Sequence, residues 1–166
     1  MADISRVAVF GKLNPLAYKA VEGATVFCKL RGNPYVELEH WVAQIVQNPE
    51  SDWHRIIGHF GLDISVLAKD ITAALDRLPR GATSISDISD SIDTAVREAW
   101  VFASLMFKDR SVRSGYMLLA MLKTKSLRNA LAAISRQFDK IKVDDLADDF
   151  GKIVAGSGED GQGSSD

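Results

Sequence analysis

A chain that repeats itself has to fold as copies of one unit, and this chain repeats at an offset of 75 residues. Residues 20–30 (AVEGATVFCKL) lie against residues 95–105 (AVREAWVFASL), with identity at Ala20/Ala95, Val21/Val96, Ala24/Ala99, Val26/Val101, Phe27/Phe102 and Leu30/Leu105. Val36 pairs with Val112 after one inserted residue, and LAKDI from Leu67 resembles LADDF from Leu146. Amphipathic helices match at a few apolar positions by chance, but here the order of the segments is preserved as well. The expectation is a duplicated four-helix unit in which Phe27 superposes on Phe102 and Leu30 on Leu105, all four largely buried.

The segments read as helices. Asn14-Pro15 and Asn33-Pro34 each suit an N-cap followed by a residue with no amide to leave unpaired, so helices are expected to begin near 15 and 34. Further helices are expected from Ser51 or Asp52, and from Asp63 up to the stop at Pro79 and Gly81. The second half restarts over residues 84–107, with Ser84 and Asp87 resembling a capping box, and continues through SVRSGYMLLAMLKT, SLRNALAAIS and VDDLADDFGKIV. No segment alternates with period two. The fold class is therefore all-α, a pseudo-twofold duplicated four-helix repeat with repeat 1 at about 13–79 and repeat 2 at about 84–154, within a domain spanning 1–155. An extra short N-terminal helix, capped by Asp3 or Ser5, would carry Ile4, Val7 and Phe10 on its apolar side. Residues 156–166 (GSGEDGQGSSD) contain no large apolar residue and are expected to form a flexible linker or tail.

Little in the chain suggests catalysis. The formal charge of -2 and pI near 5.9 argue against a dedicated nucleic-acid or anionic-membrane binder. Cys28 is single and has no His and Asn constellation around it, so it is expected to be a packed thiol. The start of the chain lacks the pattern of a signal peptide, which makes the cytoplasm the expected location, and every apolar run is too short for a membrane span. His40, His54 and His59 have no metal-ligand spacing; Glu37 and Glu39 beside His40 fan out around a helix and are expected to be solvated. Trp41, Trp53 and Trp100 are expected in the core. No GxxxxGK[ST] is present, so this segment should not itself hydrolyse ATP.

Residues 13–41 (LNPLAYKAVEGATVFCKLRGNPYVELEHW), 75–89 (LDRLPRGATSISDIS) and 99–107 (AWVFASLMF) closely resemble the N-terminal domains of the ClpV (TssH) family, the Clp-type AAA+ ATPases of type VI secretion. The resemblance covers nearly everything before the tail. It implies a protein-binding adaptor domain, not an enzyme, hung from two AAA+ rings that lie beyond this sequence and would bind ATP and Mg in a hexameric ATPase. It also implies a partner: an N-terminal helix of the large contractile-sheath subunit, held in a hydrophobic groove so that contracted sheath is disassembled and recycled. An accessory protein presenting a similar helix is a second implied partner. The alternative is a substrate-binding N-domain of a general Clp chaperone or protease ATPase. Helical spacing then selects the groove residues. Ile4, Val7 and Phe10 would form a wall, with Leu13, Leu16, Ala17, Ala20 and Ala24 beside and below it, unless the extra helix itself covers that strip.

Overall fold

The computed structural model describes residues 4–165. Helix α1 (Arg6–Phe10) starts at Ser5, whose hydroxyl oxygen accepts from Ala8 N; the other cap considered, Asp3, lies outside the described residues. The first repeat comprises α2 (Pro15–Arg31), α3 (Leu38–Gln47), α4 (Asp52–Phe60) and α5 (Ile64–Asp76). In the second repeat, α6 (Asp90–Val101) runs on into a π-helical turn (Phe102–Met106), followed by α7 (Ser114–Lys123), α8 (Lys125–Ile134), a 3-10 turn (Arg136–Lys140), α9 (Val143–Asp148) and α10 (Phe150–Ile153).

Local chemistry explains most of the boundaries. Asn14 Oδ1 accepts from Ala17 N at 2.9 Å and Pro15 takes the first helical position, while Gly32 ends α2 with a φ of 70° that favours glycine. Asp63 caps α5 by accepting from Ser65 N and Val66 N. The second Asn-Pro behaves differently. Asn33 donates its Nδ2–H to Pro79 O at 2.7 Å and its Oδ1 bonds His40 Nε2 at 2.8 Å, so its side chain is committed elsewhere and α3 starts later, at Leu38. The intervening Tyr35–Val36 forms strand β1, paired in parallel with β2 (Asp87–Ile88). The capping box expected at Ser84 and Asp87 is therefore replaced by a strand, and Ser89 takes the cap position of α6.

The pairings tie the repeats together reciprocally. Val36 of the first repeat pairs with Ile88 of the second, and Leu13 of the first forms a parallel bridge with Val112 of the second. Ser89 N donates to Val36 O at 2.9 Å, just as Asn14 N donates to Val112 O at 2.8 Å. Each repeat thus supplies the strand that the other needs.

The core fills the space between these ties. Trp41 and Trp53 are fully buried and meet edge to face with centroids 5.4 Å apart, Phe138 packs on Trp53, and Trp53 Nε1 donates across the repeat boundary to Ser114 O. Trp100 is only partly buried, with Lys12 Nζ 5.3 Å from its ring centroid. Phe27, within α2, and Phe102, at the start of the π-helical turn, are both partly buried. The expected burial of Leu30 and Leu105 is wrong: they are 80% and 67% exposed. Identity between repeats marks equivalent positions, and some of these face outward.

The tail also departs from expectation. Residues after Ala155 turn back across both repeats, with Gly158 N donating to Glu50 O and Ser165 N to Leu13 O. Glu159, in a stretch whose composition predicts flexibility, is 1% exposed. Among the described residues no helix is long and apolar enough to cross a membrane.

Candidate functional site

The N-terminal helix is tied to the second repeat by ion pairs and a hydrogen bond. Arg6 pairs with Asp87 at 2.7 Å and Asp93 at 3.4 Å, and Arg97 Nη1 donates to Ile4 O at 2.9 Å, which fixes α1 against α6. Val9 and Phe10 turn inward and are buried. Val7 faces out at 84% exposure, and Ile4 is 66% exposed. Between α1 and the start of α2 lies a concavity of about 450 Å³, lined by Arg6, Val7, Phe10, Gly11, Tyr18 and Ser165. Its apolar surface comes from Val7, Phe10 and the ring of Tyr18, which is partly exposed.

A second cleft of about 620 Å³ runs along α2 and the end of α3, with Leu16, Ala20 and Ile45 among Lys19, Gln44 and Gln47. The expected wall and floor therefore do not face one another across one groove. Val7 and Phe10 belong to the first concavity; Leu16 and Ala20 belong to the second. Leu13, Ala17 and Ala24 are fully buried and closed to any partner in this conformation, and Ile4 is open but lines neither hollow. The small residues of α2 do permit a close helix approach, but the helix that approaches is α3: a Cβ at Gly23 would run into the side chain of Gln44. Helical spacing of apolar residues does not point to Tyr18, Gly11, Arg6 or Ser165. Tyr18 follows Asn14 by one turn and lies outside the apolar strip chosen by spacing, while Ser165 is reached only through the return of the tail.

That return is anchored in a polar seam between the repeats. Glu159 Oε1 accepts from Asn14 Nδ2 at 2.9 Å and Ser114 N at 2.7 Å; its Oε2 accepts from Asp52 N at 2.6 Å and from the Ser114 hydroxyl. Asp52 N and Ser114 N open α4 and α7, so the carboxylate lies at the positive ends of two helices. Arg113 chelates Asp52 through Nε and Nη2 and reaches Asp160 at 2.7 Å, and Ser157 Oγ donates to Asp52 Oδ1. Burial, and then the charge of Asp52, hold the Glu159 carboxyl above the usual carboxylate range.

Glu37 and Glu39, expected to be solvated, are partly buried beside His40. His40 is fully buried, and Nδ1 accepts from Glu37 N at 2.8 Å while the Glu37 side chain accepts from the backbone of His40, a reciprocal cap on α3. Burial, followed by the nearby Arg31, lowers its pKa to about 4. The ring is neutral, with Nε2–H donating to Asn33 Oδ1. This is a structural group that fixes the linker between repeats through Asn33 and Pro79.

Residues 12–138 match the family described as the Clp repeat (R) N-terminal domain. The AAA+ ATPase ClpV1 of Pseudomonas aeruginosa is 57% identical over 166 residues, which is all of this chain and 18% of that protein. A chain from structural work on the coevolution of the ATPase ClpV, the TssB-TssC sheath and the accessory HsiE protein in two type VI secretion classes is 57% identical and superposes with a TM-score of 0.93, over 96% of this chain and 99% of its own. A ClpV N-domain solved in complex with a VipB peptide is 26% identical, with a TM-score of 0.82 over 96% of this chain and 97% of that one.

Proposed function

The chain belongs to the Clp repeat N-terminal domain family, and from that premise we propose that it is the protein-binding domain of a ClpV-type ATPase. Its ligand is an amphipathic N-terminal helix of the large type VI sheath subunit, seated in the concavity between α1 and α2. The full-length protein, of which this chain spans about a fifth of the length of its ClpV1 relative, would be a cytoplasmic hexamer whose AAA+ rings use ATP and Mg to extract sheath subunits. An accessory protein with a similar helix would take the same place.

One observation carries the location. Val7 is a large apolar side chain held in water, 84% exposed, on a helix fastened by ion pairs, with Phe10 and Tyr18 beside it in the same hollow. A helix with apolar anchors at i, i+3 or i+4 and i+7 would cover that surface. The relative solved with a VipB peptide supports a peptide-binding role for the fold.

Titration of a labelled peptide from the cognate sheath helix tests this. Val7→Asp should weaken binding by about 1 to 3 kcal/mol, the scale of an interface hot spot, while melting is unchanged because the side chain is already in water. Ala20→Arg, in the cleft beside α3, should leave binding intact. If Ala20→Arg abolishes binding and Val7→Asp does not, the helix sits in the second cleft.

A further inference from the structure

The tail connects the two places described above. From Glu159 in the inter-repeat seam it runs past the first turn of α2, where Gln162 Oε1 accepts from Leu16 N at 3.2 Å and Ser111 Oγ donates to Gln162 O at 3.1 Å. It ends beside α1: Ser165 N donates to Leu13 O at 2.7 Å, and Ser165 Oγ donates to Gly11 O at 3.2 Å. These carbonyls belong to the turn joining α1 to α2, the turn that sets how Val7 stands relative to Tyr18. Ser165 itself lines the concavity.

We infer that residues 157–165 form a strap, anchored through Glu159 at the N-termini of α4 and α7, whose far end is a wall of the helix-binding concavity, so that strap docking and partner binding support each other. The inference rests on the proposed reading of that concavity. Its sign follows from geometry. The strap's end bonds the backbone carbonyls of Leu13 and Gly11 in the α1–α2 turn, so its release loosens the turn and leaves a partner to order it on binding. Linkage is reciprocal: if the docked strap raises affinity by some factor, bound partner must favour docking by the same factor.

Hydrogen exchange of the strap amides and titration with the sheath-helix peptide test both directions on the whole chain. Glu159→Ala removes the anchor, and Ser165→Pro removes both the amide donor to Leu13 O and the hydroxyl donor to Gly11 O, at an exposed position where folding is not at risk. Both should speed exchange within 158–165 and weaken the peptide about fivefold or more, the lower end of ordinary coupling between sites. Saturating peptide should slow strap exchange in the parent by a matching factor. A folded variant with a freed strap that binds as tightly as the parent overturns the linkage, and tighter binding shows a competing strap. If the parent binds no peptide, the reading of the concavity fails and the linkage with it; exchange without peptide still reports whether Glu159 anchors the strap.

Discussion

Removing the Glu159 side chain should destabilise the domain even though it lies in a stretch with the composition of a linker. The carboxylate serves two helix starts, through Asp52 N and Ser114 N, as well as the buried side chains of Asn14 and Ser114. Loss of an N-cap costs about 1 kcal/mol per helix, and orphaned buried donors cost about 1 to 3 kcal/mol each unless water replaces the acceptor. Part of this returns, because the ionised carboxyl is itself disfavoured by burial and by Asp52. A net loss of about 2 to 3 kcal/mol for Glu159→Ala follows, which for a domain of this size lowers Tm by roughly 5 to 10 °C. A chain ending at Ala155 should lose at least as much. Thermal unfolding followed by circular dichroism at neutral pH measures both, with Asp160→Ala as a control, since that side chain is 47% exposed and its loss should cost under about 1 kcal/mol. A melting point within about a degree of the parent for Glu159→Ala would refute the reasoning.

Two further expectations concern the body of the domain. His40 has its folded-state pKa lowered from 6.5 to about 4, so its contribution is complete above pH 6.5 and is lost as pH falls through 4; at about 1.36 kcal/mol per pH unit this amounts to about 3 kcal/mol. Urea unfolding across that range should show this slope in the parent and a flatter one in His40→Gln; equal slopes would show that His40 is not held neutral. Gly115 has no room for a side chain, since a Cβ there would stand 2.6 Å from Phe150 Cζ and 2.8 Å from Asp52 Oδ2. Gly115→Ala should lower stability by about 1 to 3 kcal/mol, and a melting point equal to the parent's would show that Phe150 moves aside without penalty.

Helix positions were legible because their signals are local. Asn14-Pro15 caps a helix through atoms three residues away, and Asp63 does the same for α5. The second Asn-Pro misleads for a reason no local window contains: Asn33 is engaged by Pro79 and His40, and Tyr35 pairs with Asp87. Helical spacing cannot say what meets the small residues of α2: at Gly23 it is Gln44 of α3, while Leu16 and Ala20 line a cleft that stays open. An exposed apolar side chain at Val7 could be expected from the extra apolar segment; Tyr18 and Ser165 beside it could not. For the tail, Gly and Ser content describes the strap's own propensity, whereas its anchor site is assembled from residues 14, 52 and 114, distant in sequence.

The reciprocal strand pairing has a consequence for how the domain can assemble at all. Val36 finds Ile88, and Leu13 finds Val112, only in the other repeat. A polypeptide carrying one repeat would have to meet a second copy to complete either pairing, and its folding would depend on concentration by mass action. Joining the copies in one chain replaces that encounter with a unimolecular one, at an effective concentration of order millimolar for a short connection. The duplicated domain is in this sense an internal dimer that cannot dilute itself apart.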